Sequence, residues 1–209
     1  MVHCTMGQIG LYHTSFSVGR NRRSKKVGSV RMSLLNRSKR TDAEVWQAVR
    51  YATSGLTMKQ HPNIDVSVLP ARWWRATYYP SGFNGPNPLV VAGATTDETK
   101  FPYRHEPTGG GGYLPDLWLD STECLISMLA HEFRHAWQEE HKGRKRGKAW
   151  GARGVYSNRD ADAYAIRKTR EYRRSPERLQ KYEEKVAEVV KKLLPSFTYT
   201  YLCKLLRLQ

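Results

Sequence analysis

In the stretch "MLAHEFRHAWQEEH", residues 128–141, His131 and His135 stand four positions apart, and Glu132 directly follows the first of them. On a helix that spacing sets the two imidazoles about 40° apart around the axis and one turn apart in height, so both reach a single ion. Glu132 lies about 100° round from His131. It is too far to share the ion easily, yet close enough to hydrogen-bond a water held there, as a general base does. Zinc suits such a site, because two neutral imidazoles, a third protein ligand and one open position bind water with its pKa lowered toward about 7. The chemistry implied is hydrolysis of an amide, with His131 and His135 as Zn²⁺ ligands and Glu132 passing a proton from the water to the leaving amine.

Two histidines do not complete a zinc site, and the residues leave the third ligand open. His141 is nearest in sequence, at the spacing of a metzincin motif. Those proteases, however, carry a glycine where this chain has Gln138, and a methionine turn for which no methionine follows Met128. A continuing helix places His141 about 120° from His135. The alternative is a second helix, "YSNRDADAYAIRK", which offers Asp160 and Asp162. Ser157 and Asp160 have the spacing of a capping pair, which would start that helix near Asn158 and occupy Asp160 at its amino end. Asn158, Ala161, Asp162 and Ala165 share one face, and the two alanines allow close approach to the histidine helix. Asp162 is thus the better-placed carboxylate, with Asp160 and Asn158 behind it.

The pairing of "HEFRH" with this second helix resembles the gluzincin metallopeptidases. It resembles in particular small phage and bacterial proteins that join HExxH to a helix reading Glu-x-x-Ala-Asp-x-x-Ala. The resemblance spans roughly residues 120–170. It implies that the Glu position supplies the third ligand and that the Asp one turn later orients a histidine. Ala161, Asp162 and Ala165 match, whereas Asn158 stands where Glu is expected. A neutral amide is a poor zinc ligand, so Asp162 turned inward, or Asp160, is expected to complete the metal set.

The elements that must position these residues are readable in part. "DSTECLISMLAHEFRHAWQEEHK" runs from a capping Asp120 or Ser121 to Gly143 without glycine or proline, the clearest helix in the chain. Cys124, Ser127, Met128 and Gln138 extend its histidine face. Ile126, Leu129, Ala130, Phe133 and Trp137 form an apolar face for packing. Thr41 and Glu44 form a capping box ahead of an earlier helix. "IDVSVLP", "RWWRATYY" and "PLVVAGATT" read as strands separated by turn chemistry. The expected fold is α+β, a small mostly antiparallel sheet with packed helices and a zincin-like active-site helix. Residues 1–40 are expected to be a basic flexible arm, 41–175 the metallopeptidase-like domain, and 176–209 a helical extension packed on it. His105, ahead of the loop containing four consecutive glycines, and Tyr156 are candidates to contact substrate or an oxyanion.

Lys and Arg total 35 against 19 Asp and Glu, a formal charge of +16. Residues 20–40 hold nine of those basic groups and no acid, and "HKGRKRGK" near 142–148 holds five more. Nucleic acid is the expected partner of both segments, alongside a protein or peptide substrate. Three cysteines in no paired spacing fit a reducing cytoplasm. No segment reaches the roughly 18 apolar residues that would cross a membrane. A second reading, prompted by Asn158, is a catalytically silent protein that keeps the fold and binds nucleic acid.

Overall fold

A computed structural model describes residues 23–27, 30–58, 63–82, 85–106, 113–142, 155–176 and 178–180. The glycine run, the basic loop beyond Lys142 and nearly all of the C-terminal extension lie outside the described residues.

The first described elements form a hairpin, β1 (Arg23–Val27) and β2 (Val30–Asn36), in the segment expected to be a flexible arm. The cause is alternation that the charges conceal. Met32 and Leu34 are buried on one face of β2 while Arg31 points to solvent, the period-two signature of a half-buried strand. Helix α1 (Asp42–Thr53) follows and starts as its sequence predicts. Thr41 Oγ1 accepts from the Glu44 amide, and the Glu44 carboxylate accepts from the Thr41 amide at 2.7 Å.

Strands β3 (Asn63–Val68), β4 (Trp74–Tyr79) and β5 (Leu89–Ala94) complete a sheet of order β1-β2-β3-β5-β4. The β1/β2 and β4/β5 pairs are antiparallel, but β2/β3 and β3/β5 are parallel. The sheet is therefore mixed, which corrects the expectation of a mostly antiparallel one. With β2 hidden in the basic segment, α1 reads as an opening helix. It is in fact the crossover of a β2-α1-β3 unit, and a crossover returns the next strand parallel.

A 3₁₀ turn at Glu98–Lys100 leads to a small second sheet, β6 (Tyr103–His105) paired with β7 (Asp116–Trp118). Then come α2 (Ser121–Lys142) and α3 (Val155–Arg173). Asp120 caps α2, its Oδ1 accepting from the Thr122 and Glu123 amides at 2.9 and 2.8 Å. Helix α2 is the hub and packs on α1, α3, β4 and β5. Its Leu125, Ile126, Leu129 and Phe133 are fully buried with Val49 of α1 and Val90 of β5 in one core. Ala161 and Ala165 are buried where α3 meets α2. Of the aromatics of the β4 region, Tyr78 joins the core and Trp74 packs against it, whereas Trp73 is exposed. The architecture is α+β, and among the described residues no helix is long and apolar enough to cross a membrane.

Candidate metal centre

The buried face of α2 holds the helix rigidly, and its next face carries His131 and His135, each less than a tenth exposed. Their Nε2 atoms converge to 2.9 Å. What lies behind each ring determines what that contact means. His131 Nδ1 sits 2.6 Å from Asp162 Oδ1, and a carboxylate can only accept, so the proton is on Nδ1. Asp162 is fixed in turn by the Leu114 amide, which donates to its Oδ2 at 2.6 Å.

His135 Nδ1 faces Gln138 Oε1 at 2.9 Å. The Gln138 amide cannot be reversed, because its Nε2 donates to the Ser157 carbonyl at 3.0 Å and to Asp160 Oδ2 at 2.7 Å. Ser157 Oγ spends its own proton on Gln138 Oε1. His135 therefore also carries its proton on Nδ1. Both Nε2 atoms point into the same small space, an arrangement that a shared metal ion or a shared proton reconciles.

Electrostatics treats the two rings differently. Burial disfavours the charged form of His131, but its hydrogen bond to Asp162 and the nearby Glu132 and Asp162 charges outweigh that and raise its pKa. Burial and the neighbouring His131 push His135 down to about 4, so it remains a neutral donor at physiological pH. His135 is a donor that zinc accepts as it stands and His131 becomes one on releasing its Nε2 proton to the ion, so the residues present fit two positions of such a site.

The expected carboxylate ligands stand elsewhere. Asp162 lies behind the His131 ring, on Nδ1, and not beside the Nε2 pair. Asp160 is held by Arg134 through Nε at 2.9 Å and Nη2 at 3.1 Å, and supports Gln138. Ser157 does not cap α3, which begins at Val155; its hydroxyl reaches across the helix interface instead. Asn158 is buried on the same helix. His141 is exposed, stacked on Trp137, and its Nδ1 is 3.0 Å from the Trp137 carbonyl. Among the described residues, no third His, Cys, Asp or Glu joins the pair in a metal-binding group.

No protein-family model, curated protein or solved structure matches the chain.

A cavity of about 450 Å³ opens beside the pair, with His131, Glu132, Asp162 and His105 on its wall. This volume is in the range of small-molecule and side-chain sites. Of the two substrate-contact candidates, His105 lines the cavity, stacked on Trp118, whereas Tyr156 is exposed at the start of α3 and outside the cavity lining. Cys124 is fully buried, and burial pushes its thiol well above the ordinary range, which leaves it inert as a nucleophile.

Sequence reading misses Tyr113, whose ring stacks over His131 at 5.9 Å between centroids. Its only signal is its place at the end of the glycine run. The support of His135 by Gln138, Ser157 and Asp160 is equally hidden. The three-residue spacing from His135 to Gln138 is its sole local trace.

Proposed function

We propose that this chain is a zinc-dependent peptidase. The observation that supports it best is the convergence of the two Nε2 atoms at 2.9 Å, each ring held from behind through Nδ1, beside a cavity that His131 and Glu132 line. His131 and His135 would hold the ion. When bound, zinc supplies Lewis-acid activation of water and polarisation of the substrate carbonyl.

The remaining steps belong to the protein. Glu132 accepts a proton from the attacking water on a carboxylate oxygen and delivers it to the departing amine nitrogen. Asp162 and Gln138 keep the two rings from rotating, and Tyr113 covers one face of His131. Asp162 is taken up by His131 and Asp160 by Arg134 and Gln138, so the third ligand position is not filled by either carboxylate as they stand, and Asn158, buried on α3 one turn before Asp162, offers only a neutral amide. Cys124 is a free buried thiol, in keeping with a reducing cytoplasm.

Metal analysis of the purified full chain tests the reading. About one zinc per chain is expected by analogy with single-ion catalytic sites, together with cleavage of a denatured protein substrate. His135→Ala should lose both. A chain that binds no zinc when it is supplied, and cleaves nothing, would overturn the proposal. Asp162→Asn should weaken zinc binding by about 10–100-fold, the usual cost of losing a group that orients a ligating histidine. A competition titration against a chelator measures it.

A second reading, binding of nucleic acid with or without catalysis, is favoured by the outer face of α3. Arg159, Arg167, Arg170 and Arg174 are exposed along that face, while Asp160 and Asp162 turn inward to Arg134 and His131. Arg167 and the buried Lys168 share Glu171, and among the described residues the other three arginines make no ion pair. From Arg159 to Arg174 the stripe runs about 22 Å at 1.5 Å per residue, or about six to seven base-pair steps of a duplex. Arg170→Gln combined with Arg174→Gln should reduce the slope of log affinity against log salt for duplex DNA by about two, roughly one for each phosphate no longer neutralised. An unchanged slope in fluorescence anisotropy would remove this face as a DNA-binding surface.

A further inference from the structure

Away from the histidines, the cavity beside Glu132 is a chamber of aromatic planes. Trp74 of β4 and Trp118 of β7 meet edge to face with centroids 5.7 Å apart. Tyr103 stacks on Trp118 at 5.7 Å and 23°, and His105 at 5.4 Å and 9°. Burial is the main influence on His105 and lowers its pKa, so it adds a ring to the wall without adding positive charge.

The charges on this wall run against those of the whole protein. Among the described residues, Glu106, Asp116, Glu132 and Asp162 line the cavity and no lysine or arginine does, in a chain of formal charge +16. Asp162 is committed to His131, and Glu106 is exposed and paired with Arg104 at 2.7 Å. Asp116 differs from both. Its Oδ1 accepts from the Leu117 amide at 2.8 Å, and its Oδ2 from the Trp118 indole at 2.7 Å and Ser127 Oγ at 3.2 Å. It has no ion-pair partner within 4 Å among the described residues. The indole donor is used up in holding this carboxylate and Trp118 is 1% exposed, so the aromatic surface left open to a ligand is that of the half-buried Trp74 and Tyr103. A half-buried carboxylate that feels Arg173 only from beyond ion-pair distance, flanked by the partly exposed rings of Trp74 and Tyr103, is complementary to an organic cation on a long apolar stem.

We infer that the cavity is the pocket for a basic side chain, lysine or arginine, of a polypeptide substrate, with the charged head near Asp116 and the stem against Trp74 and Tyr103. The inference rests on the peptidase reading and names the substrate class of that site. Burial disfavours the Asp116 anion, and its hydrogen bonds and the more distant Arg173 only partly offset this, so an arriving cation is attracted by a charge that water solvates poorly.

Binding can be measured apart from catalysis. The metal-stripped full chain is titrated, with tryptophan fluorescence as readout, against blocked pentapeptides of alanine with arginine, citrulline or leucine at the centre. The arginine peptide should bind at least about tenfold more tightly than the citrulline peptide, which has nearly the same shape without the charge. Asp116→Asn should abolish that difference. Because Asp116 also holds the Trp118 indole, Trp74→Leu serves as a second variant and should weaken arginine binding while leaving the leucine peptide unaffected. Equal binding of arginine and citrulline, or preference for leucine, would overturn the inference, as would an Asp116→Asn chain that folds and still discriminates. Discrimination without any cleavage by the zinc-loaded protein would count against the peptidase reading while leaving the pocket assignment standing. Cleavage indifferent to basic residues would do the reverse.

Discussion

Glu132→Gln should lower turnover by about 10²–10⁴-fold, the range that a positioned general base contributes, while zinc content and thermal midpoint stay near those of the parent chain. The substitution keeps the size and hydrogen-bonding reach of the side chain and removes only its capacity to accept a proton. Both imidazoles stay pinned from behind, His131 by Asp162 and His135 by Gln138. A loss of activity in this variant therefore reports proton transfer and not collapse of the site. The measurement is turnover of a denatured protein substrate at saturating zinc, with metal content determined on the same sample. An unchanged rate would mean that Glu132 performs no chemistry, and the peptidase reading would lose its base.

The contrast between Glu132 and its supports shows where sequence reasoning reaches and where it stops. The capping box of α1, the cap of α2 and the one-turn spacing of His131 and His135 are local. Their geometry follows from the helix repeat, and the structure reproduces it. The β2-α1-β3 crossover is not local. Its first strand lies among basic residues whose charge density suggests a solvated arm, while Met32 and Leu34 supply the buried face that decides the matter.

The same distinction runs through the site. Ser157 and Asp160 have capping spacing, but capping competes with whatever the next helix offers. Here α2 presents Gln138 and Arg134, a carboxamide and a guanidinium that satisfy both side chains across the interface. Charge and helix face make Asp162 a candidate metal ligand. Its contact with His131 Nδ1 is instead that of a group that orients the ring. A face of a helix can be read from periodicity. Which atom a carboxylate reaches on that face depends on the partner's rotamer, about which one sequence is silent.

The metal reading also makes a claim about stability, because an ion bound only by the native state adds to its free energy. Phe133→Ala should destabilise the chain by about 3–5 kcal/mol, the usual cost of emptying a fully buried aromatic site. Phe133 has no exposed surface and packs between the histidine-bearing turns and the core beneath them. Against a net stability of about 5–15 kcal/mol for an ordinary domain, the loss is severe and should appear as a large drop in the denaturation midpoint. Zinc at a free concentration of about a thousand times its dissociation constant would restore about 4 kcal/mol, enough to offset most of the damage. The recovery must run through the imidazole pair, so Phe133→Ala combined with His135→Ala should show the low midpoint with or without zinc. Residues 133 and 135 are close enough for their individual costs to couple, and for that reason the informative quantity is the zinc-dependent shift and not the sum of two destabilisations. A Phe133→Ala chain whose midpoint ignores zinc would mean that the native state gains nothing from the ion. The converging lone pairs would then have to be reconciled by a shared proton instead, which the raised proton affinity of His131 would allow and which would leave the site without its Lewis acid.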